Sequence, residues 1–293
     1  MAEPPGPTGG LKPTIMMIPL TLKQACSPEQ LYQGWLRIKR NRGQQGIESF
    51  SSPWNVENEL NSLSHQIIQG YYQPQPLLFV PMVTQGKERN LSLPSIRDSI
   101  VQSAISLQLT PLIDPMFEDC SFAYRPGRSI QMAQHAVVQT IQSGRPYIIR
   151  TDISDCFDTI PFPFVNKLIS ILLTDSRLID LILRFISAPL IQANRLYPRQ
   201  CGIPQGSPLS PLLCNVVLDA YDKAMIDAGF SHVRYADDLV LLGEDARKVH
   251  EALAHSQKIL HAIGLEVNWD KTYLSSWNQG FQFLGGIIRK GEL

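Results

Sequence analysis

The segment that most restricts what this chain can fold into runs from Val233 to Leu242. Two short apolar β runs flank Ala236-Asp237-Asp238. Apolar residues on both sides demand burial of both strands, so the segment reads as a hairpin that delivers adjacent carboxylates at its turn. Neighbouring aspartates repel one another unless something positive sits between them. A turn that merely exploits the backbone preferences of Asp is the plain alternative. A second β run, Tyr147 to Ile153, also ends in acid, in Asp152-Ile153-Ser154-Asp155-Cys156-Phe157-Asp158. Carboxylates at two strand ends of one sheet could share two metal ions roughly 3.5–4 Å apart, and hard oxygen ligands suit Mg²⁺. For the side chains of Asp155 and Asp158, capping and solvation suffice as an explanation.

Periodicity supplies the surroundings. Helical spacing is read after Ser27-Pro28-Glu29, over Val56 to Gln69, Ile96 to Leu112 and Ile130 to Gln142. It recurs at Phe164 to Leu173, Ser176 to Ser187, Ser210 to Ala228 and Ala246 to Ile263. Leu77 to Val83 reads as a strand, Gly86 to Asn90 as a polar turn, and Phe281 to Ile288 as a last β run. Gly202-Ile203-Pro204-Gln205-Gly206-Ser207-Pro208 is a stiffened Gly/Pro loop opening a helix, where glycine lets backbone approach a flat ligand. Strand, helices, loop and helix, hairpin, helix, strand is the order of the second half. It suits an α+β fold with a split β-α-β antiparallel sheet and helices on one face.

Composition sets limits. The 293 residues carry 26 basic and 26 acidic side chains, so no overall positive charge grips nucleic acid. Residues 1–150 hold 13 Lys/Arg against 10 Asp/Glu, a net of +3, and residues 151–293 hold 13 against 16, a net of −3. Arg37, Lys39, Arg40 and Arg42 form a small basic patch able to touch phosphates, or simply to face water. The five cysteines and six histidines show no metal-ligand spacing. The cysteines read as reduced thiols, no stretch reaches the roughly 20 apolar residues of a membrane span, and a cytoplasmic location is expected.

Taken in order, these motifs resemble reverse transcriptases, particularly the bacterial lineage related to group II intron proteins. Tyr235-Ala236-Asp237-Asp238 is similar to the family's signature hairpin, Asp152 with Phe157 to its first metal motif, and Gln205-Gly206-Ser207-Pro208 to its template-nucleotide loop. Phe122-Ala123-Tyr124-Arg125-Pro126-Gly127-Arg128-Ser129 and Leu93-Pro94-Ser95-Ile96-Arg97-Asp98 resemble fingers motifs. Asn41-Arg42-Gly43 with Gly46-Ile47 resembles the N-terminal extension, and Phe283-Leu284-Gly285 the primer grip.

The resemblance implies a right-hand polymerase: a mobile tail over 1–26, fingers over 27–146, and a palm over 147–293 ending in the primer-grip strand. The thumb is expected to be absent or vestigial. It also implies roles. Asp152, Asp237 and Asp238 would hold two Mg²⁺ ions, with Ile153 contributing through its backbone and Mn²⁺ able to substitute. Phe157 would be the steric gate against a 2′-hydroxyl. Lys87, Arg89 and the backbone amides of Asp155 and Cys156 would meet the triphosphate. Gln205 and Gly206 would line the nucleotide and template pocket, and Lys271 would assist pyrophosphate departure. For Lys87, Arg89 and Lys271 a solvated surface position is the rival reading.

The implied reaction is RNA-directed DNA synthesis from dNTPs on a primed RNA or DNA template. Asp119-Cys120-Ser121-Phe122 and Leu218-Asp219-Ala220-Tyr221-Asp222 look similar to CRISPR-associated members. Those work with the CRISPR adaptation integrase in antiviral defence, acquiring spacers from RNA. A non-catalytic nucleic-acid-binding subunit and a free-standing intron-derived enzyme are the alternatives.

Overall fold

The computed structural model describes residues 17–42, 53–84 and 87–291, without the side chains of residues 42, 53, 54, 83, 84 and 87–89. Thr21 caps the short α1 (Leu22–Ala25) in a capping box with Gln24, and α2 (Pro28–Arg42) and α3 (Pro53–Ile68) follow. Strands β1 (Leu77–Thr84) and β2 (Lys87–Leu93) form a hairpin ahead of α4 (Ile96–Ile113). Ser95 caps α4 by accepting from the Asp98 amide. Helix α4 is buried on most sides, and α2 lies so close that a Cβ on Gly34 would sit 2.4 Å from the Ile100 carbonyl oxygen. Glycine is required at that crossing.

The second half opens with α5 (Ile130–Gln142) and β3 (Tyr147–Asp152), then α6 (Cys156–Thr159), α7 (Phe162–Leu172) and α8 (Ser176–Ser187). A two-residue turn, Ala193-Asn194 with φ 48° and 59°, joins β4 (Leu190–Gln192) to β5 (Arg195–Tyr197). Next come α9 (Ser210–Asp227), the hairpin strands β6 (Ser231–Tyr235) and β7 (Asp238–Gly243), and α10 (Ala246–Ala262). Strand β8 (Tyr273–Ser276) precedes β9 (Phe281–Phe283) and β10 (Gly286–Ile288).

Two four-stranded sheets organise the chain. The first has the order β2-β1-β4-β5, so a hairpin from the second half of the chain extends a sheet begun in the first. Of the turn expected at 86–90, Lys87–Asn90 instead pair with β1, and Gly86 lies outside the described residues. Polar residues are compatible with a ladder there because β2 is an edge strand. The second sheet, β6-β7-β3-β8, is antiparallel throughout. On one face Ile149, Leu239 and Leu241 join the main core with α9 and α10. On the other, Ile148, Val233, Val240 and Leu242 pack beneath α5 and the β9–β10 hairpin. Helices were expected on one face only, and α5 is the exception. Strand β7 reads Leu239-Val240-Leu241-Leu242, apolar at both phases of the alternation, so both faces need cover. No helix among the described residues is long and apolar enough to cross a membrane.

Candidate active site

Register carries the site. On the α5 face the strands form three cross-strand rows: Ser231, Leu242, Ile148 and Ser275; then Val233, Val240, Arg150 and Tyr273; then Tyr235, Asp238 and Asp152. The buried apolar residues belong to the first two rows, with Tyr235 of the third packed against them. The third begins at the sheet end with Asp152 directly opposite Asp238. Between β6 and β7, Ala236 takes the left-handed φ of 57° that tightens the turn and puts Asp237 beside them. The Ile153 amide donates to the Asp237 carbonyl at 3.1 Å, so the backbone after Asp152 is tied to the turn.

A second tie comes from downstream. The Asn268 amide donates to the Asp152 carbonyl at 2.8 Å, docking a short 3₁₀ turn, Trp269–Lys271, against the strand end. From it the Lys271 ammonium ion-pairs with Asp152, and the hydroxyls of Thr151 and Thr272 share a hydrogen bond of 2.6 Å. Arg150, two residues before Asp152 on the same face, pairs with Asp238 at 3.0 Å.

Electrostatics follow from this crowding. Burial, reinforced by the neighbouring charge of Asp152, pushes the Asp237 carboxyl up to about 6. Burial also raises Asp152, against the pull of Lys271. For Lys271 itself, burial would favour the neutral amine, but the hydrogen bond and charge of Asp152 hold the ammonium above its ordinary range. Three carboxylates therefore share one sheet end that carries more negative charge than Lys271 and Arg150 relieve. That donor set fits hard divalent cations such as Mg²⁺.

Beside the sheet end lies a cavity of about 410 Å³. Phe157 and Tyr124 form one part of its wall, the loop and helix start from Gln205 to Pro211 another, and Leu91 with Arg37, Ile38 and Asn41 of α2 a third. The Gly/Pro loop is fixed at several points. The Gln205 amide side chain donates to Asp158 at 2.8 Å, the Gln205 backbone carbonyl accepts from the Ser92 amide at 2.8 Å, and Ser207 bonds to buried Gln102. Gly206 has φ 107°, and a Cβ there would come within 2.7 Å of a Leu93 methyl. Only glycine allows the loop to lie so close to β2 in that conformation. Burial, and then Arg40, hold the Arg37 guanidinium below its usual range.

Residues 80–288 match the family described as reverse transcriptase (RNA-dependent DNA polymerase). The chain belongs to this family. It is similar to protein YkfC of Escherichia coli (strain K12), 29% identical over 290 residues, 85% of this chain and 76% of that protein. It is also similar to the group II intron-encoded protein LtrA of Lactococcus lactis subsp. cremoris, 29% identical over 243 residues, 80% of this chain and 39% of LtrA. The retron Mx65 reverse transcriptase of Myxococcus xanthus is 30% identical over 169 residues, 50% of this chain and 36% of that enzyme. The chain is thus an enzyme of the RNA-directed DNA polymerase class, related to group II intron and retron enzymes, and it spans well under half of LtrA.

Within this reverse transcriptase, Asp152, Ile153, Asp237, Asp238 and Lys271 come together at one sheet end. Phe157, Gln205 and Gly206 meet at the cavity. Asp155, at φ 42°, turns the chain into α6, which starts at buried Cys156. Lys87 and Arg89 lie on the β2 backbone, and their side chains are outside the described residues. Asp158, read as a solvated carboxylate, is exposed, and it also accepts the hydrogen bond from the Gln205 side chain.

Sequence reasoning missed Arg150, although the strand alternation from Asp152 signals its face. It also missed Arg234, wholly buried beneath the β6–β7 turn. The Arg234 guanidinium makes an ion pair with Asp222 and donates to Asn215 Oδ1 at 3.0 Å, the Ala236 carbonyl at 3.2 Å and Ser121 Oγ at 2.7 Å. Although the cysteines and histidines look scattered in sequence, ligand atoms of Cys120, Asp222 and His232 lie within 4.8 Å of one another. The fixed cation of Arg234 already neutralises Asp222 there, so this cluster is a buried ion network rather than a second place for a metal.

Proposed function

We propose that Asp152, Asp237 and Asp238 hold two Mg²⁺ ions, with Mn²⁺ able to substitute, and that the chain extends a primer 3′-hydroxyl with dNTPs on an RNA or DNA template. The observation that carries this reading is the row in which Asp152 faces Asp238 with Asp237 at the adjoining turn. Two such ions, when bound, activate the attacking hydroxyl and steady the leaving pyrophosphate. The chain's own residues do the rest. The backbone of Ile153 adds an oxygen to the acidic site, and Lys271 turns from Asp152 to the departing pyrophosphate. Lys87, Arg89 and the amides of Asp155 and Cys156 meet the triphosphate. Gln205, oriented by Asp158, and Gly206 hold the nucleotide and templating base. Phe157 closes the space that a 2′-hydroxyl would need. Fingers over 27–146 and a palm over 147–293 go with this reading, as does a cytoplasmic location.

Primer extension on poly-rA/oligo-dT with Mg²⁺ tests it. The purified chain is expected to incorporate dTTP, and the Asp237→Ala/Asp238→Ala variant to lose incorporation altogether. A folded chain that binds template-primer yet incorporates nothing with Mg²⁺ or Mn²⁺ would instead be a non-catalytic binding subunit.

The finer reading is a role beside the CRISPR adaptation integrase, in acquiring spacers from RNA. Its support is the similarity over Asp119–Phe122 and Leu218–Asp222, together with a net charge of zero that leaves nucleic-acid grip to a partner. In cells carrying the adaptation proteins, spacers of RNA origin are expected with this chain and lost with the aspartate variant. Their persistence with the variant would refute this role.

A further inference from the structure

Tyr124 is an exposed aromatic residue set in a rigid frame. Its own surface is 52% exposed, and it lines the cavity together with Phe157. Its neighbours are the reverse: Ala123 is 1% and Arg125 7% exposed. The Ala123 carbonyl accepts from Asn215 Nδ2 at 2.8 Å. Arg125 pairs with Asp114 at 2.8 Å and donates to the carbonyls of Glu118 and Ser121 at 2.6 and 3.0 Å. Between these anchors Tyr124 adopts φ 61°, a left-handed conformation that non-glycine side chains rarely take and that persists where surroundings over-determine it.

What the frame holds is a ring against a ring. Tyr124 meets Phe157 edge to face, with centroids 6.4 Å apart and planes at 84°. The Phe157 carbonyl is fixed by the Ile203 amide at 2.6 Å, and its ring packs partly against the main core. A gate of this kind discriminates only as well as its ring resists displacement, because excluding one hydroxyl is a matter of a small volume. A ring backed on one side alone could swing into an open cavity. Tyr124 removes that freedom from the cavity side.

We propose that Tyr124 is a positioning residue for sugar discrimination, bracing the Phe157 ring edge-on so that ribonucleotides are excluded. This rests on Phe157 acting as the gate. Tyr124 meets no reacting atom and acts through Phe157.

The test is single-nucleotide incorporation on poly-rA/oligo-dT with Mg²⁺, comparing kcat/KM for dTTP with that for UTP. Phe157→Ala is expected to collapse the preference for dTTP. Tyr124→Leu, and Tyr124→Ala as a second variant, should lower it by roughly 2- to 12-fold, the worth of one edge-to-face aromatic pair. Tyr124→Phe should keep it, and Tyr124→Leu/Phe157→Ala should be no worse than Phe157→Ala alone. If the Tyr124 variants raise KM for dTTP and UTP equally and leave the preference intact, Tyr124 holds nucleic acid instead. The proposal then fails while the gate stands. A double variant worse than Phe157→Ala would overturn action through Phe157. If Phe157→Ala leaves the preference unchanged, the gate reading falls and this proposal with it.

Discussion

Asp237 is an acid placed among acids, and its cost to the fold can be measured. Its carboxyl binds a proton up to about 6 in the folded chain, well above the ordinary value of 3.8. Between those values the folded state holds more protons than the unfolded one, so stability falls as pH rises through that window. Asp237→Asn is therefore expected to stabilise the metal-free protein above pH 6, by on the order of 1–3 kcal/mol, with the advantage vanishing below about pH 4. Thermal melts in chelator across that range check it, and an advantage independent of pH would contradict it. At this scale the sequence was informative about the acids themselves. Adjacent aspartates between apolar runs need a reason, and so does an acid closing the run from Tyr147. It was silent about their counter-charges. Which cation reaches which acid depends on register and on a turn more than 100 residues away, as with Lys271 and Asp152, and no local pattern encodes that.

The β6–β7 hairpin is held by what lies beneath it. Arg234 ties the carbonyl of Ala236 to Asn215 and Asp222 on α9 and to Ser121, whose segment bridges to β6. Arg234→Met leaves Asp222 buried without its cation and is expected to destabilise by about 3–5 kcal/mol. Arg234→Met/Asp222→Leu should recover most of the loss, because the removed pair is replaced by apolar packing. Denaturant unfolding separates these outcomes, and a double variant as unstable as the single one would show that the hydrogen bonds dominate. Long periodic elements such as α5 and α10 were legible, since a buried stripe repeats along the helix. The three-residue strands β4 and β5 were not, because so short a run has no period to read. Nor was the first half of the edge strand β2, Lys87–Asn90, whose polar sequence shows none of the alternation that normally marks a strand, although Leu91-Ser92-Leu93 read as extended.

Across the whole molecule, charge is spread so that recognition of nucleic acid depends on where cations sit rather than on how many there are. Arg37 of α2 faces the cavity from the basic half, and no hydrogen-bond or ion-pair partner holds it among the described residues. If a phosphate binds there, Arg37→Ala should weaken template-primer binding similarly for all sequences and reduce the slope of log K against log salt by about 1. Fluorescence anisotropy at several salt concentrations decides it, and an unchanged slope would remove Arg37 from the interface. The docking of Lys271 on Asp152 also bears on how this protein is made. Synthesis lays down Asp152 long before Lys271, and the turn carrying Lys271 is tied to the strand end by Asn268. A nascent chain still lacking that turn exposes crowded carboxylates with no ammonium beside them, so the Lys271–Asp152 pair can form only after residue 271 leaves the ribosome. A fragment cut between Asp238 and Asn268 would retain all three acids and lose the cation that offsets Asp152.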